Sequence, residues 1–329
     1  IIQKMYNHSM PNQRLDSIDA FRGLAIAGMV IANYLAGVER IPAWLKHAPD
    51  AGFTIIDLVA PMFIFAIGLT YVGSAKRRQA EVGTWKMTLH FILRFFALLG
   101  IGAFLSAGEI ALGVDGQTVN WGVLQAIGVA GLVTLLFIRT NTWVRLAAGL
   151  IMLALYQFLL QRFWLDTVLA SPHGGLYGAV SWSAMLMLAT VLADLFHQPN
   201  HGMRNLMLAS ITALAVAMAL TVWFAVSKNR VSAPYVLLSL ALSGFLFCGC
   251  HVLVDKLKVR LSLLVWWGRN PLVMYVLHML LLGLMVLPGI PTWYARAPWW
   301  LVALQAAGLL AILTWAAWSL DRKKRYVSL

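Results

Sequence analysis

GFTIIDLVAPMFIFAIGLTYV, residues 52–72, carries a single charge, Asp57, in an otherwise apolar run. An α-helix needs about 20 apolar residues to cross the hydrocarbon core of a bilayer. No water is available there, so each backbone N–H and C=O must be bonded within the segment, which demands a helix. The stretch therefore predicts a transmembrane helix. Its carboxylate must be paired or neutral, because a lone charge is expensive to remove from water.

The same reading repeats along the chain. Apolar runs of spanning length lie at 18–36, 52–72, 89–107, 121–138, 146–163, 177–195, 205–226, 234–254, 263–285 and 299–320. The expected fold is all-α: a polytopic membrane helix bundle of about ten transmembrane helices. Residues 14–329 form one transmembrane domain, and residues 1–13 a disordered or extraneous tail that fits no element. Composition agrees: 61% of residues are hydrophobic and 11% charged, against about 25% charged in a soluble domain. Too few polar side chains remain to clothe a water-soluble surface.

The net charge of +13 does not point to nucleic acid, which asks for basic residues gathered on one face. Here they fall in short connections, such as Lys76-Arg77-Arg78 and Arg322-Lys323-Lys324-Arg325, and read as topology signals facing anionic lipid. By their distribution both termini are cytoplasmic, the segment 73–88 is an inner connection, and the loop 37–51 faces out. Cys248 and Cys250, in an apolar run, read as packing residues.

Ionisable groups inside membrane segments are functional candidates. Asp19 and Arg22 share a helix face and either form a structural pair or leave Arg22 for a ligand. Arg22, Arg94 and Arg269 lie at cytoplasmic depth on different helices. They either reach to lipid headgroups or converge as a phosphate clamp, since the guanidinium fork matches phosphate oxygens. Asp194 reads as a solvated helix-end residue. His278, within a helix, is either a structural hydrogen-bonding group or part of a site. His47, in the loop before the Asp57 helix, is either an ordinary exposed residue or a base, because imidazole titrates near neutrality. No nucleotide-binding, zinc-protease or serine-hydrolase motif is present, and no spacing suggests a metal.

The residues also carry a resemblance. Arg14-Leu15-Asp16-Ser17-Ile18-Asp19-Ala20-Phe21-Arg22-Gly23 is followed by Asn33-Tyr34, Lys46-His47-Ala48, Thr54-x-x-Asp57-Leu58-Val59-x-Pro61-x-Phe63-x-Phe65-x-x-Gly68, Gly122-Val123-Leu124-Gln125, Lys228-Asn229, and Gly268-x-Asn270 with Tyr275-Val276-x-His278. This ordered set resembles the heparan-α-glucosaminide N-acetyltransferase family and its bacterial relatives. The resemblance implies acetyl transfer from cytoplasmic acetyl-CoA to an amino sugar or related glycan on the outer side of a bacterial inner membrane, by a homodimer among membrane lipids. It implies that His47 is central to catalysis, with Asn33 nearby; Asp57, a buried carboxylate that either orients His47, holds another polar residue or binds substrate, completes the candidate catalytic set, and no metal is expected. Arg22, Arg94, Arg269 and Asn270 are the cofactor-binding candidates; Lys228, Asn229 and His278 are the acceptor-binding ones. Family members commonly carry Trp-Asn-Gly after Lys-His-Ala, whereas this chain has Pro49-Asp50-Ala51-Gly52. Ala126 stands where an Arg is usual. Both departures fall toward the acceptor side. A different class remains open beside the enzyme: a transporter of a sugar or lipid-linked precursor, with Asp19, Asp57 and His278 as coupling groups.

Overall fold

A computed structural model describes residues 15–111 and 119–327. The tail read at 1–13, and Arg14, lie outside them. Among the described residues every regular element is helical. In chain order the longer helices are α1 (Asp16–Ala36), α2 (Val59–Ala111), α3 (Val123–Phe137), α4 (Thr142–Leu159), α5 (Gly175–Phe196), α6 (Gly202–Leu220), α7 (Ala233–His251), α8 (Ser262–Arg269), α9 (Pro271–Val286) and α10 (Trp299–Arg322). A 3-10 turn, Ile55–Leu58, leads into α2.

Among the described residues, seven helical stretches are long and apolar enough to cross a membrane, or eight if the bent pair α8–α9 counts as one. The sequence suggests ten, and two elements account for the difference. The runs 52–72 and 89–107 join into α2, and the run 121–138 shortens to the 15-residue α3, below spanning length. A straight helix of the 53 residues in α2 would measure about 80 Å, more than twice a core about 30 Å thick. The break is Gly83, with φ 82 and ψ 167, a conformation glycine adopts without a Cβ clash. Residues 73–88, read as a connection, are therefore helical on both sides of Gly83.

α5 is the buried centre of the bundle. In its most apolar stretch 83% of residues are buried, and it packs on α2, α3, α4, α6 and α7. In α6 the share falls to 17%, and Trp143, Ile151, Phe158 and Trp315 are exposed on α4 and α10. Large apolar side chains on the outside suit a surface facing lipid. Asp194, read as a solvated helix-end residue, is 24% exposed and is also paired. Its carboxylate accepts from Thr142 Oγ1 at 2.5 Å and pairs with Arg145. Arg145 is almost fully buried, and a buried guanidinium requires a counter-charge.

α1 and α8 approach backbone to backbone. A Cβ added at Gly23 would lie 1.9 Å from Leu264 O, and one at Gly268 would lie 1.8 Å from Asp19 O. These two glycines let α8 lie flat against α1. The run 263–285 is not one straight helix, since α8 and α9 meet at 90°. Asn270 stands at the break with φ −130 and ψ 54. Pro271 opens α9, where its missing N–H costs no helical bond. The Asn270 side chain donates to Arg325 O at 3.2 Å and accepts from Val327 N at 2.9 Å, so it fastens the C-terminal segment to the break.

Candidate active site

Asp57 is the third residue of the turn Ile55–Leu58, and Thr54 caps that turn. In this reciprocal cap the acidic side chain reaches back to the cap backbone. Thr54 N donates to Asp57 Oδ2 at 2.9 Å. The Thr-x-x-Asp spacing thus turns the carboxylate away from the helix and toward the loop before it. There, Asp57 Oδ2 also accepts from Ala48 N at 3.3 Å, and Thr54 Oγ1 donates to Lys46 O at 2.8 Å. The remaining oxygen, Oδ1, meets His47 Nδ1 at 2.7 Å. Tyr235 of α7 donates to the Asp57 backbone carbonyl at 2.8 Å and holds the turn from behind.

The Asp57 side chain is fully buried, whereas that of His47 is 37% exposed. The carboxylate is shielded from water and the imidazole is reachable. With Nδ1–H donated to Asp57, the lone pair resides on Nε2. A carboxylate that orients an imidazole in this way fixes its tautomer and stabilises the imidazolium that forms on proton uptake.

His47 and Asp57 line a cavity of about 470 Å³, within the range typical of small-molecule sites. Asn33 of α1 lines it too, and Lys228 and Asn229 reach it from the loop between α6 and α7. His278 of α9 joins through Asn33, whose Nδ2 lies 3.0 Å from His278 Nε2 and 3.5 Å from Met279 Sδ. The Asn33 amide nitrogen is thereby engaged, and its carbonyl oxygen is the group left to accept a hydrogen. The Lys228 ammonium is buried in the cavity wall. Burial pushes it down to about 8, against the opposing pull of the Asp57 carboxylate.

The cofactor-binding candidates are elsewhere. Arg22 and Arg269 meet at the other end of α1, around Asp19: Arg22 Nη1 is 3.1 Å from Asp19 Oδ1, and Arg269 Nε is 3.8 Å from Oδ2. Arg269 also pairs with Asp321 at 2.6 Å. Asn270 adjoins them. Arg94 lies on α2, one turn beyond His90, and no described contact joins it to the other two. Eleven residues separate Arg22 from Asn33, about 16 Å along a helix.

Two residues at the cavity were missed in the sequence. His173 lies in Ser171-Pro172-His173-Gly174-Gly175, with φ 53 for the histidine and 77 and 60 for the glycines. Its Nδ1 is buried with no hydrogen-bond partner among the described residues. The Pro/Gly cluster is a visible turn signal, and a histidine inside it is the clue that was available. Glu109 of α2 also lines the cavity, at the end of an apolar run where it reads as an ordinary terminal residue.

Residues 14–176 match the sequence model of a family described as heparan-alpha-glucosaminide N-acetyltransferase, catalytic. The match covers just under half of the chain and is a likeness to that family over this part. Heparan-alpha-glucosaminide N-acetyltransferase of Mus musculus is 33% identical over 123 residues, and that of Homo sapiens is 33% identical over the same length. Each alignment covers 35% of this chain and 18% of the relative. The matched family segment contains Asn33, His47, Asp57 and His173, but not Lys228 or His278.

Proposed function

We propose that the protein is an acetyl-CoA-dependent N-acetyltransferase that acts on a glucosamine-type or related glycan amine. The observation that carries this is the 2.7 Å contact between His47 Nδ1 and a buried Asp57 at the wall of a ligand-sized cavity. A base held by a shielded carboxylate, in a chain whose residues 14–176 match the sequence model of an acetyltransferase family, suits proton removal from an amine.

The step is as follows. The acceptor nitrogen attacks the thioester carbonyl carbon while His47 Nε2 takes its proton. The tetrahedral intermediate collapses, the C–S bond breaks, and the imidazolium returns the proton to the departing sulfur, giving the amide and free CoA. Asn33, with its amide nitrogen engaged, accepts from the acceptor N–H. The Lys228 ammonium offers positive charge to the oxyanion. Asn229 lines the acceptor side, and His278 holds the Asn33 amide from behind.

The clustering of Lys and Arg supports cytoplasmic termini, with the Arg22–Arg269 end of α1 inside and the His47 cavity toward the outside. The nucleotide part of CoA then binds near Arg22 and Arg269, with Arg94 and Asn270 as flanking candidates. The pantetheine arm crosses the intervening span of about 16 Å, roughly half of a core about 30 Å thick. The setting is a bacterial inner membrane, with a homodimer as the assembly. The test is purified protein with acetyl-CoA and glucosamine, read by thiol release and by mass spectrometry of the product. Production of CoA and N-acetylglucosamine supports the enzyme. Binding without turnover favours the transporter.

A further inference from the structure

Asp50 and Arg230 have no part in the steps above, yet they join the two loops that carry His47 and Lys228. They are 180 residues apart in sequence. Arg230 Nε donates to Asp50 Oδ1 at 2.8 Å and to Oδ2 at 3.1 Å, and its Nη2 also reaches Oδ2. A fork of this kind fixes geometry as well as charge. Arg230 is also the main reason the Asp50 carboxyl is held below its usual range.

Further bonds run beside the pair. Ser227 Oγ donates to Asp50 Oδ1 at 3.1 Å and accepts from Arg230 N at 3.1 Å. Gly52 N donates to Val226 O at 2.8 Å, and Asn229 Nδ2 donates to Pro49 O. Residues 49–52 and 226–230 are thus laced together on both sides of Lys228.

The turn that presents Lys228 is strained. Val231 has φ 47, an outlier for a β-branched residue. Such a conformation persists only where the surroundings over-determine it. Val231 is fully buried, its N donates to Lys228 O at 3.1 Å, and its carbonyl accepts from Ser181 Oγ at 2.7 Å. The turn is held rigidly from below by α5 and from above by the Asp50–Arg230 pair.

We propose that the Asp50–Arg230 pair is a clasp that sets the Lys228 ammonium and the His47 imidazole in one cavity, making Asp50 and Arg230 positioning residues for acetyl transfer. This rests on the acetyltransferase reading given above. Both side chains lie outside the cavity wall, so the clasp acts through the loops it joins.

The test uses the full chain with Asp50→Ala, Arg230→Gln and the double exchange Asp50→Arg/Arg230→Asp. Each is assayed for kcat and for the KM of acetyl-CoA, and for acylation of Lys228 by an amine-reactive ester, quantified by peptide mass spectrometry. Displacing a reacting group by about 1 Å costs on the order of 100-fold in rate. The single variants are expected to lose that much kcat with the acetyl-CoA KM unchanged. Lys228 is expected to be protected in the wild type and readily acylated in both single variants. The exchange restores the ion pair and recovers both readouts. Full kcat in the single variants, or Lys228 protection unchanged by them, overturns the clasp. If the wild type shows no turnover, the acetyltransferase reading fails, and Lys228 protection alone decides whether the clasp exists.

Discussion

Replacing Asp57 by Asn removes one charge and almost no volume, and the surrounding contacts fix its consequence. Oδ2 receives two backbone donors, Ala48 N at 3.3 Å and Thr54 N at 2.9 Å, so the amide of the variant keeps its carbonyl there. Its NH2 group then stands where Oδ1 was, facing His47 Nδ1 across 2.7 Å. A donor in that place makes Nδ1 an acceptor and moves the ring proton to Nε2, the nitrogen that must act as base. General-base catalysis contributes about 10²–10⁴-fold, or about 3–5 kcal/mol at about 1.4 kcal/mol per tenfold. Because both backbone donors stay paired, the loop keeps its shape. The expected result is a fall in kcat by about 10²–10⁴-fold, acetyl-CoA affinity unchanged, and a gel-filtration profile in detergent like that of the wild type. The assay is CoA thiol release under saturating acetyl-CoA and glucosamine, with affinity measured separately by calorimetry. A well-folded Asp57→Asn protein that keeps its rate within about tenfold refutes the assignment of tautomer control to Asp57.

The other predictions concern charge, cofactor and packing. Lys228 is an ammonium below about 8 and a neutral amine above it, so charge offered to the oxyanion is present at lower pH and lost as pH rises. The rate should fall along an alkaline limb near pH 8, and Lys228→Arg, whose charge persists, should lack that limb; a limb unmoved in Lys228→Arg contradicts the role. Arg22→Gln and Arg269→Gln should each weaken acetyl-CoA binding by about 10–100-fold, the loss of a charged hydrogen bond worth about 1.5–3 kcal/mol. Calorimetric affinities unchanged in both variants remove the phosphate-clamp idea. Gly23→Ala places a methyl 1.9 Å from Leu264 O and should destabilise the protein by at least the 1–3 kcal/mol or so typical of overpacking. A melting temperature equal to that of the wild type would show that α1 and α8 are not packed as described.

Much of the fold can be read directly from the sequence, because a bilayer imposes one length and one backbone geometry on each apolar run. The run 52–72 contains the start of α2, at Val59, and the run 299–320 lies within α10. What escaped is continuity and bending. A polar stretch such as 73–88 is helical around Gly83, since helix geometry does not depend on apolar character. The break at Asn270 depends on tertiary bonds to Arg325 and Val327, which no local pattern shows. At the site, the sequence shows that Asp57 must be paired or neutral, and the fold supplies the pair through the Thr54 cap, which turns the carboxylate toward the loop at the segment's mouth. The histidine that receives it lies only ten positions upstream. Lys228 and His173, in contrast, reach the cavity through the folding of distant loops. The Asp50–Arg230 pair, 180 residues apart, had no signal in spacing at all. Arg145 and Asp194 pair from different helices, which no local spacing shows.

The central claim is that His47 is the base for acetyl transfer, and His47→Ala tests it most directly. Acetyl-CoA binding and CoA release are measured on the same detergent-purified sample, with glucosamine as acceptor. The predicted result is turnover abolished with acetyl-CoA affinity retained, because His47 lies at the opposite end of α1 from Arg22 and Arg269. Substantial turnover by a well-folded His47→Ala protein would contradict it.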